Sequence, residues 1–131
     1  MNNRAFTILE VIAAIFVMTV GVLGAYAVVQ QIIVYTSISS SRLTAAYLAQ
    51  EGIELVRNIR DSNWLQGAGN WTNGIASDSD WVVHPTLSKF KTKKTITPVG
   101  SDEIKVVVEV TWTEKGQTHT VTVQENLYDW K

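Results

Sequence analysis

Between Val11 and Ser41 the chain carries no Asp, Glu, Lys or Arg, and residues 11–29 (VIAAIFVMTVGVLGAYAVV) are apolar apart from Thr19. No other feature restricts the fold so strongly. At about 1.5 Å per helical residue, such a run spans roughly the 30 Å hydrocarbon core of a bilayer. A segment in lipid must satisfy its own backbone hydrogen bonds, which selects helix despite the many β-branched residues. The chain has 131 residues in all, with 11 basic and 12 acidic side chains, so the remainder holds nearly all the charge and has room for one small domain. A net charge of -1 supplies no global attraction to nucleic acid. There is no cysteine, hence no disulfide framework, zinc–thiolate site or thiol nucleophile.

Three readings compete for the apolar run. In the first it is the core of a cleaved secretory signal, with Arg4 as the basic region and Ala25-Tyr26-Ala27 as the small-x-small cleavage site. Against this, the run exceeds the roughly 7 to 15 residues of a signal core, and Glu10 stands between Arg4 and the run. The second reading, a plain membrane anchor, explains the length but not Glu10. A charge carried to the bilayer centre costs about 2.5 to 3.5 kcal/mol, so a lone carboxylate at the apolar edge calls for a partner. With Arg4 as the only cation ahead of the run, the N-terminus is expected to stay cytoplasmic and the C-terminal part to be exported.

The third reading supplies the partner. Phe6-Thr7-Ile8-Leu9-Glu10-Val11, after a short basic leader and before an unbroken apolar run, resembles the start of type IV pilins and type II secretion pseudopilins. The resemblance implies a leader of residues 1–5, cleavage by a prepilin peptidase between Ala5 and Phe6, and N-methylation of Phe6. It also implies that Glu10 neutralises the terminal ammonium of a neighbouring subunit in the fibre. Such a pair attracts strongly at low dielectric, and only a correctly staggered neighbour provides it. The implied partners are other pilin or pseudopilin subunits, the peptidase, an inner-membrane assembly platform and, before assembly, membrane lipid. Ala5 departs from the family, which usually has Gly before the cut; alanine is the smallest change available.

No proline occurs before Pro85, so the helix is expected to continue from about residue 7 to about residue 61. Ala45, Leu48, Gly52, Leu55 and Ile59, with Ala49 and Val56 beside them, form one apolar stripe. Gln50, Glu51, Glu54, Arg57, Asn58 and Asp61 take the other side, with Arg57 and Asp61 spaced as an i,i+4 pair. Gly52 within the stripe suggests close approach of a strand or a neighbouring helix. Residues 62–80 are rich in Ser, Asn, Gly and Asp and read as an ordered loop, with Asn73-Gly74 as the tip of a short hairpin. Asp78 and Asp80 read as solvated loop acids, with a calcium site as the alternative.

The remainder reads as β. Over residues 103–113, Ile104, Val106, Val108, Val110 and Trp112 share one face. Glu114-Lys115-Gly116-Gln117 is a hairpin turn, and residues 118–124 return with His119, Val121 and Val123 on one side. An earlier strand is expected within residues 81–87 or 89–97. The fold class is therefore α+β: a long N-terminal helix, apolar in its first half and amphipathic in its second, on a small antiparallel sheet. The family resemblance makes this a pilin-like lollipop, divided into residues 1–5, 6–41 and 42–131.

Lys89, Lys91, Lys93 and Lys94 are expected to make one basic face, either a solubilised edge strand or a patch for DNA phosphates or an acidic partner. His84 and His119 belong to no metal-ligand spacing, and no nucleophile elbow or hydrolase-like acid pair is present. No catalytic residue, metal or cofactor is expected. The reading is a non-enzymatic subunit, minor or initiating, of a type IV pilus or type II secretion-type filament. The rival is an exported or membrane-anchored module that binds DNA or carbohydrate behind a conventional signal sequence.

Overall fold

The computed structural model describes residues 7–67 and 69–130. A single α-helix, α1 (Ile8–Leu65), is followed by four strands, β1 (Val82–Val83), β2 (Phe90–Pro98), β3 (Glu103–Glu114) and β4 (Gln117–Tyr128). The strands form one antiparallel sheet in the order β1-β2-β3-β4. The chain divides into two compact units, Met1–Ser39 and Ser40–Lys131.

In the second unit α1 packs on the sheet through Ala45, Leu48, Ala49, Ile53 and Val56, all buried. Their counterpart is β3, whose pleat buries Ile104, Val106, Val108, Val110 and Trp112 on one face. Phe90 from β2 and Leu127 from β4 complete the core, with Trp71, Ile75, Ile96, Val121 and Val123 packed around it. Burying one such side chain is worth about 1.5 to 3 kcal/mol, so this seam dominates the stability of the unit.

The stripe lies to one side of its expected position. Ile53, unassigned by the periodicity, is 4% exposed, while Leu55, expected in the stripe, is 60% exposed, and Ile59 is half-buried. Spacings of 3 and 4 allow two adjacent stripes on this sequence, and the closest approach of the sheet selects between them. That approach is at Gly52. A Cβ built there would lie 2.9 Å from Val108 Cγ1 and 3.1 Å from Cγ2, so the glycine lets the helix backbone reach β3.

The helix also runs a turn beyond its expected end, so Trp64 is helical and not part of the loop. Arg57 does not pair with Asp61. It bonds Glu54 and reaches to β4, donating from Nη2 to both carboxylate oxygens of Glu125 at 2.6 and 2.7 Å. These hydrogen bonds to Glu125 hold the guanidinium above its ordinary pKa. Asp61 instead takes the neighbouring Arg60, at 2.8 Å.

The loop is pinned by side chains and not by a hairpin. Asn73 N donates to Asn70 O and Ile75 N to Thr72 O, making turns without strands where a hairpin tip was expected. Asn63 Nδ2 fastens it to the helix by donating to the carbonyls of Trp71 and Asn73.

Both candidate regions for an earlier strand pair, one as two-residue β1 and the other as β2. β4 runs four residues further than expected, as far as Tyr128. The β3–β4 connection is the two-residue turn Lys115-Gly116, with φ of 51 and 78°, the left-handed pair that a tight antiparallel hairpin requires.

The Gly52 contact yields a sign test. Gly52→Ala gains about 1 kcal/mol of helix propensity and loses a similar amount to overpacking, leaving stability nearly unchanged. Gly52→Leu is expected to lose about 2 kcal/mol. In a Val108→Ala background, which vacates the contact, Gly52→Ala becomes stabilising. Thermal unfolding of the full chain in neutral detergent, followed by tryptophan near-ultraviolet circular dichroism, reads all three.

Candidate functional site

The processing junction expected at Ala5 and Phe6 lies outside the described residues, which begin at Thr7. Thr7 caps α1: Glu10 N donates to Thr7 Oγ1 at 3.3 Å and Thr7 O at 3.1 Å, and Val11 N donates to Thr7 O at 3.2 Å. The Thr-x-x-Glu spacing of Thr7 and Glu10 is a capping-box pattern, legible in the sequence but overshadowed there by the membrane question. Glu10 is exposed in the first helical turn, where the partial positive end of the helix favours a carboxylate. No basic side chain pairs with it among the described residues.

From Ile8 to Ile33 every residue is exposed, including Phe16, Met18, Leu23 and Ile32. This half of α1 is apolar on all sides and is not covered by any of the described residues. Two threonine hydroxyls of the apolar stretch and its continuation are satisfied by the helix itself: Thr19 Oγ1 donates to Ile15 O at 2.7 Å and Thr36 Oγ1 to Ile32 O at 2.9 Å. A hydroxyl satisfied in this way can enter hydrocarbon at low cost. The helix is long and apolar enough to cross a membrane.

The four lysines do not share one face. The register sets Lys94 opposite Val108, on the helix-covered side, and Lys91 and Lys93 opposite Thr111 and Glu109, on the open side. Lys94 pairs with Asp78 at 3.5 Å. Lys89 precedes the strand, donating from Nζ to the buried Ser41 hydroxyl at 2.8 Å and to Glu114 at 3.1 Å. On the open face, Lys89 and Lys91 border a depression of about 470 Å³ with Trp81, Thr111, Thr118 and Thr120.

Asp78 finishes the edge of β2: its N–H donates to Lys94 O and its carboxylate accepts from Lys94 N, both at 2.8 Å. Asp80 accepts from the Trp81 N–H. The described residues contain no cluster of three or more His, Cys, Asp or Glu side chains able to hold a metal ion. His84 Nδ1 accepts from Leu87 N, and His119 stacks on Trp112 with ring centroids 5.2 Å apart.

Residues 1–26 match the prokaryotic N-terminal methylation motif, the signature of type IV pilins and pseudopilins. No curated protein and no solved structure matches the chain. The motif supports a type IV pilin-like or pseudopilin precursor and implies interaction with other pilin subunits and with a prepilin peptidase. Together with the apolar helix it suggests a membrane-anchored protein later assembled into a filament. The family that shares the motif is structural, not enzymatic.

The contrast between exposed and sheet-packed halves of α1 gives a second prediction. A fragment beginning at Ser40 retains the whole seam and is expected to be monomeric and folded in water without detergent. One beginning at Asn58 lacks Ala45, Leu48, Ala49, Ile53 and Val56, leaves the β3 valines bare, and is expected to aggregate. Size-exclusion chromatography with circular dichroism distinguishes the two, and equal behaviour would mean that something other than α1 covers the sheet.

Proposed function

We propose that the chain is a minor or initiating subunit of a type IV pilus or type II secretion-type filament, made as a prepilin and cut between Ala5 and Phe6. The observation that carries this reading is the methylation motif over residues 1–26, in which Glu10 stands at the fifth position of the mature chain. Residues 1–5 are then the leader, residues 6–41 the membrane and filament-core helix, and residues 42–131 the exported head. Before assembly the all-round apolar helix is solvated by lipid at the cytoplasmic membrane, where an assembly platform extracts it. In the fibre it is solvated by the same helices of other subunits. Glu10 is the one charge carried into that core, and a neighbour's terminal ammonium is the group of opposite sign and suitable position. A small head without a disulfide loop favours a minor or initiating subunit over the main one.

Two measurements test this. In the first, mass spectrometry of the N-terminal peptide is expected to find N-methylated Phe6. Ala5→Gly is expected to be cut at least as well as wild type, while Ala5→Leu accumulates uncut, because the bulk meets a site shaped for glycine. A wild-type N-terminus at Val28 would establish the secretory-signal rival, in which enlarging Ala27 blocks release and Ala5 is indifferent. An intact Met1 would leave an anchored binding module for DNA or carbohydrate.

In the second, Glu10→Gln is expected to remain membrane-inserted and processed while its amount in sheared fibres falls at least about tenfold, the consequence of burying an ammonium without its counter-charge. Immunoblotting must follow this subunit itself, since a minor component can be lost without altering the bulk of the fibre. Wild-type incorporation would sink the role given to Glu10.

A further inference from the structure

The C-terminal end of α1 gathers groups that assembly through residues 6–41 leaves unused. The last turn before Leu65 contains no basic residue, so no cationic side chain of that turn offsets the partial negative charge of the helix end. Beside it lies an open cleft of about 280 Å³ whose lining includes Asn63, Trp64, Asn70, Trp71 and Asp129. One face of Trp64 stacks on Trp130, with centroids 5.5 Å apart and planes 4° from parallel. Trp64 Nε1 donates to Asp129 Oδ1 at 3.0 Å, fixing an indole and a carboxylate relative to one another. The bonds from Asn63 to Trp71 O and Asn73 O, at 3.0 and 2.7 Å, hold the loop that carries the second indole. Arg60, the nearby guanidinium, is paired with Asp61 and lies over Trp130, outside the cleft lining.

From this arrangement we infer that the cleft is a binding site for a small organic ammonium ion, the alkylated type exemplified by choline. Indole faces attract cations through their quadrupole, most strongly where water is partly excluded. The Asp129 carboxylate and the negative helix end act in the same direction, and among the described lining residues no lysine or arginine opposes them. An anion would be repelled by all three. Calcium or magnesium needs six or more oxygen ligands, and the cleft offers one carboxylate and amide oxygens beside two indoles. An alkylated ammonium is weakly hydrated, so its methyl groups can exchange water for the indoles that line the cleft while the charge is attracted by Asp129.

The probe is choline chloride, titrated into the full chain in neutral maltoside detergent and followed by tryptophan fluorescence. Its uncharged isostere, 3,3-dimethylbutan-1-ol, is run in parallel. Saturable binding of choline at least about tenfold tighter than the alcohol is expected, the difference being the charge contribution. Asp129→Asn keeps an oxygen for Trp64 Nε1 but removes the charge, and is expected to weaken choline about tenfold without changing the thermal midpoint. Trp81→Phe, on the open face of the sheet, is expected to leave choline binding unchanged. Phosphatidylcholine carried in mixed micelles with the same detergent, in a further arm, separates the sources: competition with free choline assigns a lipid headgroup, and no competition assigns a free solute. Absence of saturable choline binding, equal response to the alcohol, or an Asp129→Asn variant that binds as wild type would each overturn the site.

Discussion

Residues 40–130 depend on one apolar seam, the line along which Ala45, Ala49, Ile53 and Val56 meet the β3 valines. A single helix over a four-stranded sheet offers little area to bury, so proximity matters more than extent. Small residues secure it. Two alanines are fully buried, and at Gly52 the helix backbone itself comes against Val108. The ion pair from Arg57 to Glu125 lies to one side of this line and about a third exposed. Solvent screening limits such a pair to roughly 1 kcal/mol or less, so it orients the helix toward β4 more than it holds it.

The sheet was legible because its periodicity has one solution. Valine and isoleucine at every second position of β3 can face only one way, and a slip of one residue would turn the whole row to solvent. The Lys115-Gly116 turn then fixes β4 against β3 without further information. The helix was legible in kind but not in phase. Ile53 and Leu55 are equally apolar, and local sequence cannot say which of them meets the sheet; that is settled by where the sheet comes closest, at Gly52. The lysines were misjudged for a related reason. Alternation was read from Lys89, Lys91 and Lys93, but Lys94 necessarily faces the other way, where Asp78 awaits it from a loop whose path no local pattern encodes. Trp64, in the middle of the chain, meets Asp129 and Trp130 some 65 residues further on, a juxtaposition that periodicity cannot reveal.

The two halves of α1 answer different demands with one backbone conformation. In residues 40–65 the helix has a face, because a sheet waits for it. In residues 8–33 it has none, because its surroundings are expected to be apolar in every direction, first as lipid and then as like helices. Association in an apolar medium gains little from the hydrophobic effect, since one apolar neighbour replaces another. Selectivity among such neighbours must come from shape and from the few polar groups present. Thr19 and Thr36 are closed off by their own carbonyl bonds and carry no such information. In the proposed filament, Glu10 is the charged side chain of this stretch that can.

Its position sharpens that role. At the start of α1 the unpaired N–H groups already concentrate partial positive charge, and Thr7 answers only part of it. Cleavage before Phe6, as proposed, would add a full ammonium at the same end. One carboxylate four residues along can serve either its own terminus or a neighbour's, and the two choices differ in geometry. Its own ammonium would stay hydrated while that end of the chain is at the membrane surface. Once that end enters a fibre core, water no longer competes, and an unpaired ammonium or carboxylate becomes costly. The balance would thus shift with burial: a pair of small consequence in the processed subunit before assembly would acquire weight only when a correctly placed neighbour excludes solvent, which is the condition that the proposed assembly has to recognise.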